Sequence, residues 1–548
     1  MTGRVVAIVV ALAVLHLILI QPNHPHAMTW AALKLVPLEL PLIVLGLIAA
    51  PTAVAKPFRV VLTGFLTLMP LVKLADYAAF VSYARGFNLV LDAHLLPAAW
   101  NLTSGSIGTL PALGALAGVL LATALLAAVV WWATGVIASI EPPRPGRVVA
   151  GLAIVPAAAV AVGDVERWWR PFHPGSAAFT ARLALEHTRA MADTRADLAR
   201  FREEAARDAF AAVPAETLLA GLEDIDVMIV FVESYGRSTL ENPRYAPTIR
   251  PRLAAIEEDL EAGGLAMRSG WMTAPMVGGQ SWLAHASILS GLWIENQRRY
   301  QALIASPRRT LMHYAADAGY RTVVVAPAIT LAWPESGYFG YEAIYPAARL
   351  GYEGEPFNWV TMPDQFTLKA FERLELARTD RPPLMAEIAL ISSHAPWTPV
   401  PELVDWDAVG DGTVFNEMAR AGDPPEVVWR DRDRVRDQFR QAVDYSLEVV
   451  GSFARRHAEN PPLMIVLGDH EPATFVAEID SFDVPVHVIG PPEVVARIEG
   501  WGFTPGMTPA EDAPVWPMSA FRDRFLATFT PGAPEQAALE EQAGTAWR

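Results

Sequence analysis

Val227-Met228-Ile229-Val230-Phe231-Val232-Glu233 is an apolar, largely β-branched run closed by a single carboxylate. Such a run, without polar alternation, reads as a strand buried on both faces. Comparable runs recur at 320–326, 384–392, 463–468 and 485–489. Helical patterning fills the stretches between them, at 247–262, 281–289, 310–318, 364–376 and 430–457. Buried strands alternating with helices predict an α/β sandwich around a central, largely parallel sheet. In such sheets functional groups collect at the carboxyl ends of strands.

Chemistry-bearing residues stand at those ends. Glu233 closes the first run, His394 follows the third in Ser392-Ser393-His394-Ala395-Pro396-Trp397, and Asp469-His470 follows the fourth in Gly468-Asp469-His470-Glu471-Pro472. A carboxylate at a strand end is expensive to bury unless it is paired or metal-bound. Adjacent Asp and His at a turn can both reach one metal, because the extended geometry has ended there. Ser281 follows Gly278-Gly279-Gln280 and opens a helix, where unpaired amide N–H groups favour anions and glycines let a phosphate approach the backbone. A serine at that place is also an ordinary N-cap, and position alone leaves both readings open. His285, one turn later, either faces the same site or packs on its helix. His487, inside Val484-Pro485-Val486-His487-Val488, reads as a packed strand residue.

The first 164 residues are of another character. Apolar runs at 5–20, 30–50, 59–81, 110–136 and 148–162 approach or exceed the ~20 residues that span a bilayer. Five runs exceed what a signal peptide accounts for. Arg4, Lys56, Arg59, Arg144 and Arg147 fall on one side of the implied spans, while the alternate loops carry only Arg85. The basic side is cytoplasmic, so everything after Asp164 is expected outside the cytoplasm of a bacterial cell. Lys73 and Asp76 share a face of the third run, as a structural pair or as a contact for a lipid headgroup. Glu166-Arg167-Trp168-Trp169-Arg170 has the aromatic and basic character of a membrane–water interface. The organisation expected is a five-helix transmembrane domain over 1–164, an amphipathic helical connector at the membrane surface over 165–221, a catalytic domain over 222–530 and a polar tail over 531–548.

Charge and cysteine usage exclude other classes. The chain carries a formal −16; its first 164 residues have eight Lys/Arg against five Asp/Glu, so the remainder carries −19. That surface is unsuited to nucleic acid, which needs clustered cations. There is no cysteine, hence neither a disulfide framework nor thiolate chemistry.

Taken together, these segments resemble the membrane-anchored branch of the alkaline phosphatase–sulfatase superfamily. That branch includes lipoteichoic acid synthases, phosphoglycerol transferases of periplasmic glucans and phosphoethanolamine transferases. The resemblance covers most of 226–490 and the five-span pattern, and it implies an alkaline phosphatase-like, sulfatase-like sandwich. It also implies one divalent metal, Mn²⁺ or Zn²⁺ with Mg²⁺ as a further alternative, held by Glu233, Ser281, Asp469 and His470. Ser281 takes the nucleophile's place, filled by threonine in the synthases, and His394 the place of a histidine that contacts the transferred group. The implied partners are a membrane phospholipid donor and an envelope glycan or lipid acceptor.

Departures from that pattern narrow the reading. The synthases bind glycerol phosphate through a Trp and an Arg; Trp333 matches the first, but the second falls on Glu335, of opposite charge. That leaves room for a cationic headgroup such as ethanolamine. Lipid A phosphoethanolamine transferases usually carry disulfides, which this chain lacks. Gln280 and His285 are further substrate-binding candidates. Ser281 is followed by Trp-Leu-Ala-His rather than by the x-Pro-x-Arg that formylglycine sulfatases require. The expected activity is transfer of a phospho-headgroup through a phospho-serine, with a phosphodiesterase, phosphatase or metal-dependent sulfatase of the same fold as the alternative.

Overall fold

The structure, a computed structural model, describes residues 2–83, 85–88, 92, 99–100, 103–104, 108–166, 168, 175–222 and 225–534. It divides into two compact units, Met1–Asp197 and Leu198–Arg548.

In the first unit the long helices are α1 (Thr2–Ile20), α3 (Thr52–Tyr83), α4 (Thr109–Ala138) and α5 (Arg144–Val165), with a short α2 (Glu39–Ala49) between α1 and α3. Among the described residues four helices are long and apolar enough to cross a membrane. The five expected are therefore four and a short one. The run over 30–50 is helical only in α2, whose 11 residues span about 16 Å, roughly half a bilayer's hydrocarbon core. Pro37 is the physical reason: it restricts the residue before it to extended backbone, and Val36–Pro37 instead pairs in parallel with Ser176–Ala177.

Lys73 and Asp76 do not pair with each other. Lys73 Nζ donates to the carbonyls of Ile18 and Leu19 at the end of α1 and to Thr180 Oγ1. Asp76 bonds Asn23 Nδ2, the Phe87 amide and His187 Nε2. Both groups are consumed by structure. The expected connector contains one long helix, α6 (Phe179–Ala205). Within the interface motif only Glu166 and Trp168 are described, and of the polar tail 535–548 lies outside the described residues.

The second unit is built on nine strands: β1 (Val227–Val232), β2 (Ala266–Thr273), β3 (Arg321–Ala326), β4 (Ala343–Pro346), β5 (Leu384–Leu390), β6 (Leu463–Gly468), β7 (Asp483–Gly490), β8 (Thr504–Pro505) and β9 (Val515–Pro517). Their order is β8-β2-β7-β6-β1-β5-β3-β4, with β9 also on β2. From β6 to β4 neighbours run parallel, whereas β7 is antiparallel to both β6 and β2. The sheet is thus mixed rather than largely parallel. The segment joining β6 to β7 holds only the one-turn helix Thr474–Ala477, so the chain turns back beside β6 instead of making a helical crossover.

Alternate residues of β1 explain why its run is apolar throughout. Met228, Val230 and Val232 face a core shared with α7 (Ala246–Ala262), α9 (Asp364–Phe371) and α10 (Arg432–Arg456). Val227, Ile229 and Phe231 face a second core with α8 (Trp282–Ser290) and α11 (Phe521–Phe529). Both faces are dry, so neither parity tolerates a polar side chain without a partner.

Candidate active site

Three loops bring the candidate groups to the carboxyl edge of the central strands. Glu233 leaves β1, and Asp469-His470 leave β6 directly beside it, because β1 and β6 are paired in register up to Val232 and Gly468. Ser281 arrives from the loop between β2 and α8. That loop forces three successive residues to positive φ, Gly278 at 75°, Gly279 at 138° and Gln280 at 67°. The first two tolerate this as glycines; Gln280, almost buried, adopts it as a strained non-glycine residue.

Ser281 does not act as a cap: its hydroxyl makes no bond to the helix amides. Its Oγ donates instead to Glu233 Oε2 at 3.2 Å and lies 3.2 Å from His470 Nε2. His470 Nε2 is 3.3 Å from Glu233 Oε1 and 3.7 Å from Asp469 Oδ2. His470 Nδ1 meets the Glu471 carbonyl at 2.8 Å; a carbonyl only accepts, so Nδ1 carries its hydrogen there and Nε2 faces the cluster. Asp469 Oδ1 is taken by the amides of Ser234 (2.7 Å) and His470 (2.8 Å), which turns Oδ2 to the same point. One ligand atom each from Glu233, Asp469 and His470 lies within 4.8 Å of the others.

Glu233 is 8% exposed, and Asp469 and His470 1% each. Burial and then the neighbouring Glu233 charge push Asp469 up to about 6. Burial works to raise Glu233 too, but the charges of His394 and His470 outweigh it and hold this carboxyl far below its ordinary range. Burial opposes a charged His470, yet Asp469 and Glu233 carry it up to about 9. Two buried carboxylates that share one imidazole as their ion-pair partner are a donor set suited to a divalent cation. The set of two oxygens and one nitrogen, with a hydroxyl alongside, fits the metal that the resemblance implies.

Behind this cluster lies a layer that the sequence reading missed. Glu471, fully buried, accepts from the Ser238 amide at 2.8 Å and hydroxyl at 2.5 Å, and burial pushes it up to about 8. Its backbone carbonyl also takes the Gly278 amide at 2.9 Å, joining the β6 turn to the serine loop. Ser393 Oγ donates to the Glu233 carbonyl at 2.6 Å. The signal available was modest: Glu471 is a carboxylate beside Asp469-His470.

The remaining candidates are placed as follows. His394 sits on the turn after β5, close enough for its charge to act on Glu233; its Nδ1 donates to the Ala395 carbonyl at 2.5 Å and its ring stacks on Trp359, 5.3 Å between centroids. His285 bonds Glu387 Oε1 at 2.6 Å. Trp333 is half-buried against Phe339 and Tyr341, 6.1 and 6.2 Å between centroids, with Glu335 in the turn that follows it. Trp333 thus packs on Tyr341, whose hydroxyl donates to Glu387, the carboxylate that bonds His285. His487 is buried between Tyr235 Oη (3.0 Å) and Ser269 Oγ (2.7 Å), and burial pushes it down to about 3, so it is a neutral packing residue.

No protein-family model and no curated protein matches the sequence. Among solved structures the chain is similar to the lipoteichoic acid synthase LtaP from Listeria monocytogenes, at 13% identity over 62% of this chain and 79% of that one, with a TM-score of 0.38. It is similar to a protein in the alkaline phosphatase superfamily from Vibrio parahaemolyticus, at 16% identity over 61% and 74%, with a TM-score of 0.36. A third is the Streptococcus pyogenes phosphoglycerol transferase GacH in complex with sn-glycerol-1-phosphate, at 12% identity over 64% and 91%, with a TM-score of 0.39. The likeness is one of fold. At TM-scores below 0.5 it carries no argument about activity, which rests on the side chains above.

Proposed function

We propose that the protein is a membrane-bound, metal-dependent phosphotransferase that moves a phospho-headgroup, phosphoglycerol or phosphoethanolamine, from a phospholipid to an envelope glycan or lipid acceptor. The observation that carries this reading is the Ser281 hydroxyl. It is withdrawn from its helix cap and hydrogen-bonded to Glu233, with His470 at the same distance.

Ser281 Oγ is the nucleophile that attacks phosphorus and expels diacylglycerol, leaving a phospho-serine. Such an intermediate divides one difficult displacement into two. Glu233, Asp469 and His470 would hold the divalent cation, Mn²⁺, Zn²⁺ or Mg²⁺, which when bound lowers the pKa of a neighbouring hydroxyl and neutralises phosphoryl charge. Glu233 accepts the Ser281 hydrogen bond and so aims the oxygen. His394, its ring fixed by Trp359 and its Nδ1 by Ala395, presents Nε2 to the oxygens of the transferred group. The α8 amides, left uncapped by Ser281, favour the same anion. Four apolar helices keep the enzyme on the bilayer that holds the donor; an extracytoplasmic catalytic unit rests on the basic residues of the sequence and needs the short α2 as a fifth crossing.

Full-length enzyme incubated with headgroup-labelled phosphatidylglycerol or phosphatidylethanolamine, then quenched, tests this. The Ser281 peptide gains the mass of the transferred group, and Ser281→Ala abolishes both label and turnover. Unchanged turnover in that variant would sink the assignment. Release of free headgroup phosphate with no acceptor product would favour the hydrolase of the same fold.

A further inference from the structure

A second polar cluster lies next to the first and is not used by it. Glu387 sits within β5, paired with Ile229 on β1 and Val324 on β3, and is 3% exposed. A carboxylate inside a buried sheet costs several kcal/mol unless its oxygens are satisfied. Here they are: Oε1 bonds His285 Nδ1 at 2.6 Å, and Oε2 accepts the Tyr341 hydroxyl. His285 stands one turn after Ser281 on α8. Its ring stacks on Phe231, 3.7 Å between centroids and 12° between planes, two residues before Glu233. Nδ1 is engaged by Glu387, while Nε2 has no protein hydrogen bond among the described residues and the side chain is 18% exposed.

A carboxylate that holds Nδ1–H and a ring that fixes the plane leave Nε2 free to exchange a proton in a defined direction. His394 lacks this support, since its Nδ1 meets only a neutral carbonyl. Tyr341 keeps the second Glu387 oxygen occupied, so the carboxylate does not turn away from the imidazole.

We propose that His285 is a catalytic residue, the proton carrier of the transfer, and that Glu387 and Tyr341 are its positioning residues. The proposal rests on the phosphotransferase reading of Ser281. In the first displacement the Oγ–P bond forms and the P–O bond to the leaving group breaks, with its electron pair going to the leaving oxygen. That oxygen takes the proton from His285 Nε2, while the Ser281 proton passes to solvent and Glu233 stays ionised. In the second, the incoming hydroxyl oxygen attacks phosphorus and gives its proton to Nε2. The P–Oγ bond then breaks and Oγ recovers its proton, so His285 ends as it began.

Two donors that differ only in the leaving group test this in the full-length enzyme: the phospholipid, and the p-nitrophenyl ester of the same phospho-headgroup, whose phenolate leaves without a proton. The variant His285→Asn retains a donor toward Glu387. Its turnover of the phospholipid is expected to fall by about 10²–10⁴-fold. Labelling of Ser281 by the p-nitrophenyl ester is expected to stay within a few-fold of wild type, which also shows that the variant is folded. The phospho-serine then accumulates, because the acceptor hydroxyl has no base. Glu387→Gln should shift in the same sense by less. Equal losses with both donors, or no loss with the lipid, overturn the proposal while leaving Ser281 as nucleophile. A wild-type enzyme labelled by neither donor overturns the Ser281 reading and this proposal with it.

Discussion

Asp364 offers the sharpest test of how the site is held. It is fully buried at the start of α9 and touches none of Glu233, Ser281, Asp469 and His470. Its Oδ1 accepts from the amides of Ile391 (2.7 Å) and Ser392 (2.8 Å), and its Oδ2 from Ser446 Oγ (2.7 Å). The Asp364 amide donates back to Ser392 Oγ at 2.9 Å. These bonds fix the turn that carries Ser393, bonded to the Glu233 carbonyl, and His394. Burial raises the Asp364 pKa despite the bonds that lower it, so a neutral isostere suits the site. The substitution Asp364→Asn keeps an acceptor for both amides and is expected to cost less than about 1 kcal/mol. In contrast, Asp364→Ala strands two buried N–H groups at about 1–3 kcal/mol each, about 2–6 kcal/mol together, partly offset because no carboxyl is buried. In a unit of this size each kcal/mol moves Tm by about 2 °C, so a drop of up to about 10 °C is expected. Turnover should fall about 10²-fold as His394 loses its placement. Thermal inactivation and steady-state turnover of the detergent-solubilised full chain measure both. An alanine variant as stable and active as the asparagine variant would refute the reasoning.

Metal affinity should depend on pH with a definite sign. His470 is carried up to about 9 and Asp469 up to about 6, and both must be deprotonated to ligate, so affinity is expected to fall about tenfold per pH unit below about 9 and more steeply below about 6. Metal titrations across that range with equal affinities would contradict it. Gly236→Ala should act at a distance, because a Cβ there would lie 2.0 Å from Glu471 Oε2 and 2.8 Å from the Glu471 Cα. The Glu471 backbone cannot yield without moving the carbonyl that orients His470, so metal affinity should drop about 10–100-fold. A titration within twofold of wild type would contradict that placement.

Much of the fold is legible residue by residue. The runs ending at Val232, Leu390 and Gly468 are apolar on both parities because cores lie on both faces of the sheet, and a continuous apolar pattern reports that directly. The strand β2 escaped notice because Arg268, Ser269 and Gly270 interrupt it; their polar groups are satisfied by Phe503, His487 and close packing, which no local pattern reveals. Glu387 was legible as a lone carboxylate in an apolar strand, a signal that its residue type made available. The short α2 was legible in principle from Pro37.

By itself the sequence determined the alternation of buried strands and helices, the apolar character of the N-terminal unit, and which residues stand at strand ends, because periodicity and chain direction are local properties. It left open whether Ser281 caps its helix, how β7 runs, and what Glu387 bonds. Those depended on segments remote in sequence meeting in space: Glu233, Ser281 and His470 are brought to one point by the register of β1 with β6 and by a strained loop. Hydrogen-bond partners are set by three-dimensional distance, and only the folded chain fixes that.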